Sequence, residues 1–324
     1  PQEFLDWYTI MFEKGQRILP PGLVTKLIIK PTEIRISGSK NLNITVIFST
    51  KNSIQSAEFV NGLLTAYTGP NVFIENIKYS KPSSGSRLYY KYGKYYLIDI
   101  ENNCLSVKER GQPKNLMEGD AQLLADEFFL INGQLYTKFR DTIYEIEFSS
   151  INKDKLVAYA SRNWKIRSKS FTYYDNIFIE NNLGSYFAYF FYKSRSCAIL
   201  NIKELKEYRI IDAKYFDKFA IITGYKNGIY DRIYLILNDD YISYTVKIEE
   251  NITLSSINFV KLLNGIVVML TGDNEIYAFY YKVPEKKKII FDCDIDNSFN
   301  LFTDGISVFA YSNSCKDIIK IEMK

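Results

Sequence analysis

The stretch DCDIDNS sets Asp292, Asp294 and Asp296 at alternate positions, and oxygen ligands at the first, third and fifth places of a tight loop are how many calcium loops begin. Such a loop also needs Gly at its sixth place and a closing Glu at its twelfth. Asn297 and Thr303 stand there instead, so the ligand set is incomplete. An acidic loop between strands accounts for Asp292, Asp294 and Asp296 more simply than a metal does. The stretch SRNWKIRSKS offers a second chemistry. On an extended strand Lys165, Arg167 and Lys169 project to one side and Trp164, Ile166 and Ser168 to the other, with Arg162 just before. Arg162, Trp164, Lys165, Arg167 and Lys169 then form a basic ridge beside an aromatic ring, suited to phosphate or to an acidic protein patch. The same charges also guard an edge strand against unwanted pairing, and that simpler role carries more weight. Lys286, Lys287 and Lys288 in PEKKKII read as a solvated loop.

Composition removes more chemistry than it offers. The 324 residues contain no histidine, which excludes Ser-His-Asp and Cys-His nucleophiles, zinc-histidine sites and imidazole acid–base catalysis together. The four cysteines, at 104, 197, 293 and 315, lack the paired spacing of structural zinc and read as buried core thiols. No cofactor motif is present. Carboxylate pairs remain possible, but linear spacing cannot choose among 37 acidic residues. A net charge of +4, from 41 basic and 37 acidic side chains, is too balanced to name nucleic acid as the partner. The 27 Tyr and 22 Phe suit half-buried sheet. The accompanying wealth of Ile, Asn and Lys reads as an AT-rich coding sequence, which weakens any functional reading of the aromatics. The sequons at Asn43 and Asn251 matter only in a secreted chain.

What would position these groups is almost entirely strand. One helix is predicted, at the start of residues 1–22, with Phe4, Leu5, Tyr8, Met11 and Phe12 on one face. Phe4, Trp7, Tyr8 and Met11 are its candidate partner anchors, although an apolar face is more often buried on its own domain. LNIKELKEYRI is a weaker helical candidate whose length also suits a strand and a turn. From residue 23 onward, short segments such as EIRIS, KYYLIDI, DTIYEIEF and EIYAFYY alternate with Gly-, Asn- and Asp-bearing turns. An apolar strand, a tight turn and a second strong strand recur at AEFVNGLL, DEFFLINGQLYTKF and INFVKLLNGIVVML. With their weaker copies the starts lie near residues 57, 88, 127, 170, 215, 257 and 298. A period of about 40 residues with a hairpin at its heart fits a four-stranded propeller blade.

Seven starts predict an all-β propeller of seven four-stranded blades over residues 23–324, with six or eight as alternatives and two stacked sandwiches as the competing topology. The last unit supplies three strands, so a strand from LVTKLIIK or TEIRIS is expected to complete it and join the two ends of the chain. The repeat resembles a degenerate WD40-like β-propeller, without the Gly-His and Trp-Asp signatures. That resemblance implies fold and a docking role, and it transfers no functional residue.

The expected function is therefore a non-enzymatic scaffold that binds a protein partner within a larger complex. The alternatives are a glycan-binding or glycan-hydrolysing propeller, and a binder of nucleic acid or another acidic partner through the basic ridge. No apolar run approaches 20 residues, so no spanning segment is expected. An intracellular location is expected, while a chain beginning at Pro1 leaves a removed signal peptide open.

Overall fold

Asn61-Gly62 and Asn132-Gly133 hold φ between 52° and 77°, the left-handed conformation that a two-residue hairpin demands and that Asn and Gly tolerate best. Around such turns a computed structural model describes residues 25–36, 38–81, 83–110, 116, 123–152, 155–192, 196–253, 255–272 and 274–324. The helix expected within residues 1–22, with Phe4, Trp7, Tyr8 and Met11, lies outside the described residues. LNIKELKEYRI is the end of one strand, a single 3-10 turn at Lys203–Leu205 and the start of the next strand.

Seven sheets, antiparallel except for one added parallel strand on each of two, form the blades of a propeller. Their innermost strands are Ser56–Val60, Arg87–Lys91, Glu127–Ile131, Ser170–Tyr174, Arg209–Phe216, Asn258–Lys261 and Phe299–Thr303, taken as blades 1 to 7. Blade 2 shows three strands among the described residues. The backbone of residues 123–125 marks its outer position, with Leu105 N donating to Leu123 O at 2.9 Å and Ala125 N to Asn103 O at 3.0 Å.

Each blade buries both faces. The described residues form seven apolar clusters, one at every seam between neighbouring blades. In DTIYEIEF, for example, Ile143 joins the cluster shared with blade 4, while Ile146 and Phe148 join the one shared with blade 2. The seam between blades 7 and 1 closes the circle through Phe302, Phe309 and Ile318 from one blade and Ala57 and Ala66 from the other.

The strand that completes blade 7 is Leu42–Ser49, paired antiparallel with Asp317–Met323. The expectation for LVTKLIIK and TEIRIS is corrected. Thr25–Ile28 runs parallel to the outer strand of blade 5, and Thr32–Ile36 parallel to that of blade 6. The difference lies in the side chains. Leu42–Ser49 supplies Leu42 to the seam with blade 6 and Phe48 to the seam with blade 1. Thr32–Ile36 carries Glu33 and Arg35 and leaves Ile34 exposed, a pattern suited to an outer edge. Asp292 pins the closing strand: its Oδ2 accepts Asn41 N at 2.8 Å and Leu42 N at 2.9 Å, while Asn41 Nδ2 donates to Phe291 O at 2.8 Å.

PEKKKII is also corrected, since Lys286–Phe291 is the outer blade 6 strand built into the sheet. Strand alternation turns Lys287 into the seam with blade 5, where its side chain is 0% exposed. Its Nζ donates to Glu249 Oε2 at 2.6 Å and lies 4.9 Å from the Tyr277 ring centre. Tyr234 donates to the same oxygen at 2.6 Å, and Arg232, 4% exposed, approaches it at 3.5 Å. Burial pushes the Glu249 carboxyl up, but the Lys287 and Arg232 charges outweigh that and hold it below its ordinary value. One buried anion thus serves two buried cations. Glu249→Gln is expected to cost about 3–5 kcal/mol, because both cations lose their counter-charge. Lys287→Met costs less, because Arg232 still faces Glu249. A depressed carboxyl contributes stability above its unfolded value of about 4.3 and loses it as pH falls through the folded value. Urea titrations of wild type and Glu249→Gln should therefore converge in acid; equal losses for both variants at every pH would contradict the arrangement.

Candidate functional site

The seven innermost strands run in one direction around an axis. A parallel bridge between Asp175 and Lys214 joins blades 4 and 5 directly, with Tyr215 N donating to Asp175 O at 2.9 Å. Cavities of about 390, 360 and 600 Å³ lie along this axis. Glu58 lines all three, so they adjoin one another along the central channel of the ring. Its walls alternate aromatic and polar groups, among them Phe59, Tyr173 and Phe216 beside Asp175 and Asn176.

Glu58 is the most perturbed acid in the channel. Its Oε1 accepts the Tyr67 hydroxyl at 2.6 Å, and the Tyr67 hydroxyl oxygen in turn accepts Leu88 N at 3.0 Å. Burial raises the carboxyl above its ordinary value, against the Tyr67 hydrogen bond and the Arg87 charge. Asp175, nearer solvent, is ion-paired with Lys214 at 2.8 Å. Nothing in linear spacing singled out these two acids; the available signal was a carboxylate inside an apolar inner-strand segment, AEFV. The same signal marks Glu180 in IFIENN, which is fully buried and accepts Tyr189 OH at 2.6 Å and Arg167 N at 2.6 Å.

Strand reversal sorts the remaining surface into two ends. Turns between first and second strands, and between third and fourth, emerge at one end; inter-blade connectors and the other turns emerge at the opposite end. The first end carries exposed Tyr92, Ile242, Leu263, Tyr280 and Ile306. Leu263 N donates to Gly305 O at 2.8 Å, which joins the turns of blades 6 and 7. The Tyr280 ring lies so close to Gly265 that a Cβ there would meet it at 2.5 Å. A cleft of about 290 Å³ between blades 5 and 6, lined by Leu237, Thr245 and Tyr281, opens beside these tips.

The basic ridge begins on the outer strand of blade 3, Lys155–Lys165, and continues into the connector to blade 4. Lys165, Arg167 and Lys169 are exposed while Trp164, Ile166 and Ser168 are half-buried, as strand alternation requires. Trp164 belongs to the core side, edge-on to Phe191 at 5.2 Å. Arg162 faces the fully buried Glu145 at 3.9 Å. The acidic loop is the connector from blade 6 to blade 7, and its three carboxylates do not converge. Asp292 is buried on backbone amides, Asp294 pairs with Lys40 at 2.9 Å, and Asp296 accepts Ser298 N at 2.8 Å. The described donors close enough to share an ion are Asp292, Cys293 and Asp294, with Asp296 outside the group. The expected burial of the cysteines is corrected: they form no disulfide among the described residues, Cys293 is exposed and the others are half-buried. Among the described residues no helix is long and apolar enough to cross a membrane.

No protein-family model matches the chain, and no curated protein sequence matches it. Solved structures do. The WD40 domain of Neurospora crassa Pan2 is 10% identical, covering 90% of this chain and 98% of its own, with a TM-score of 0.52. Kluyveromyces lactis Hsv2 is 10% identical, covering 85% and 98%, with a TM-score of 0.50. At such identity the likeness shows the fold, a WD40-type β-propeller.

The raised Glu58 carboxyl makes a signed prediction. A carboxyl raised in the folded state contributes stability below its unfolded value and loses it as pH rises through the folded value. Glu58→Gln removes that loss. In urea titrations the variant should gain on wild type from about pH 4.3 upward and level off once Glu58 ionises. A difference independent of pH would show that Glu58 is not held in this state.

Proposed function

We propose that this chain is a non-enzymatic docking propeller that binds a protein partner at the end of the ring formed by the blade 5, 6 and 7 turns. The observation behind this reading is the exposed apolar group there: Leu263 is 80% exposed, Ile306 75% and Tyr280 42%. Tight turns hold these side chains, so little conformational freedom is lost when a partner covers them. Large apolar side chains kept in water on a rigid frame are the usual centre of an interface. The missing histidines support a binding rather than a chemical role.

The nucleic-acid reading has less behind it. Arg162 faces Glu145, and Trp164 is turned into the core, which leaves Lys165, Arg167 and Lys169 as scattered solvated charges on a chain of +4.

Two sets of variants separate the surfaces. The tagged chain is purified from cells that make it, and co-purifying proteins are quantified by mass spectrometry. Leu263→Glu with Ile306→Glu should lower recovery of the specific partner about tenfold or more, with the urea midpoint unchanged. Lys165→Glu, Arg167→Glu and Lys169→Glu together should leave recovery as it was. Full recovery with the apolar pair replaced, or loss only with the ridge replaced, would overturn the assignment.

A further inference from the structure

We propose that the axial channel binds a small, neutral, polyhydroxylated molecule of the size of a mono- or disaccharide. This goes beyond docking at the rim and does not depend on it. The largest section of the channel, about 600 Å³, is within the range of small-molecule sites, and the section that adds Asn300 and Tyr311 is about 390 Å³.

The walls do not select a charged ligand. Glu58 and Asp175 are balanced by Arg87 and Lys214, two against two. Lys214 is taken by Asp175 at 2.8 Å. Arg87 is turned to its own loop, donating to Ser86 O at 3.1 Å with its guanidinium 5.0 Å from the Tyr67 ring centre. Among the described residues no cation is left facing the channel alone to draw an anion, and each carboxylate already has a cation nearby.

What remains is a set of polar atoms that lack protein partners. Ser56 Oγ is buried in the wall and makes no hydrogen bond. Glu58 uses one oxygen on Tyr67 and no hydrogen bond to its other oxygen is found among the described residues. Asn176 and Asn300 line the same space. Hydroxyl, amide and carboxylate groups that both donate and accept are complementary to ligand hydroxyls, which do the same. Phe59, Phe128, Tyr173 and Phe216 supply apolar faces between them, suited to the C–H faces of a sugar ring.

The test is saturation-transfer NMR of the full chain with glucose, galactose, N-acetylglucosamine, cellobiose and lactose at millimolar concentration. Glucose 6-phosphate and glucosamine serve as charged comparators. At least one neutral sugar should receive saturation, and Glu58→Gln and Asn300→Leu should each weaken its binding about tenfold. Circular dichroism checks that each variant is folded; should Glu58→Gln fail to fold, Asn300→Leu carries the test alone. The proposal is overturned if no neutral sugar receives saturation, if the folded variants bind as wild type does, or if a charged comparator binds more tightly than every neutral one.

Discussion

A twisted sheet of four strands has two apolar faces, and in water neither can be left bare. In this chain every blade meets that demand with a neighbour on each side, so the arrangement has no stable end until it returns to its start. The return is made by residues 42–49, which give Leu42 to one seam and Phe48 to the next. Asp292 holds the entry to that strand by accepting two backbone amides, of which that of Leu42 would otherwise be buried without an acceptor. The seam between blades 7 and 1 therefore depends on residues from both ends of the described chain.

Closure also decides where chemistry can sit. Strands packed on both faces leave charged groups two places to go, the inter-blade seams or the surfaces of the ring. In the seams they survive as compensated clusters, such as Glu249 with Lys287 and Arg232, or Glu180 with the Tyr189 hydroxyl and the Arg167 amide. On the axis they line a channel whose charges cancel in pairs. At the rim, turns held by backbone hydrogen bonds can present Leu263 and Ile306 to water without collapsing onto the core. The docking face and the channel are separate consequences of one geometry.

Much of this was legible in residue order. Asn-Gly turns and the spacing of the hairpins located the blades, and six of the seven expected starts fall within a residue or so of an inner strand. The exception, near residue 215, marks the end of Arg209–Phe216 because the turn after it is the stronger signal. Alternation along a strand does not distinguish a face in water from a face against a neighbouring blade. Lys287 accordingly read as solvated when it is buried, and the acids at 145 and 180 gave no sign of their burial. The choice of closing strand was likewise hidden, because LVTKLIIK, TEIRIS and LNITVIFS all have strand character and only their tertiary partners separate them. A channel assembled from seven distant segments has no linear signature at all.

The account rests on closure being a property of the whole ring, and native-state hydrogen exchange measures that most directly. Asp292→Ala removes the acceptor of the Asn41, Leu42 and Asp294 amides, all at the entry to blade 7. If the ring stands or falls as one, the slowest-exchanging amides of blade 4, across the axis, should lose as much protection as those of 42–49 and 299–323. Protection lost only around blade 7, with blade 4 unchanged, would show that the blades are held locally and that closure is not the governing constraint.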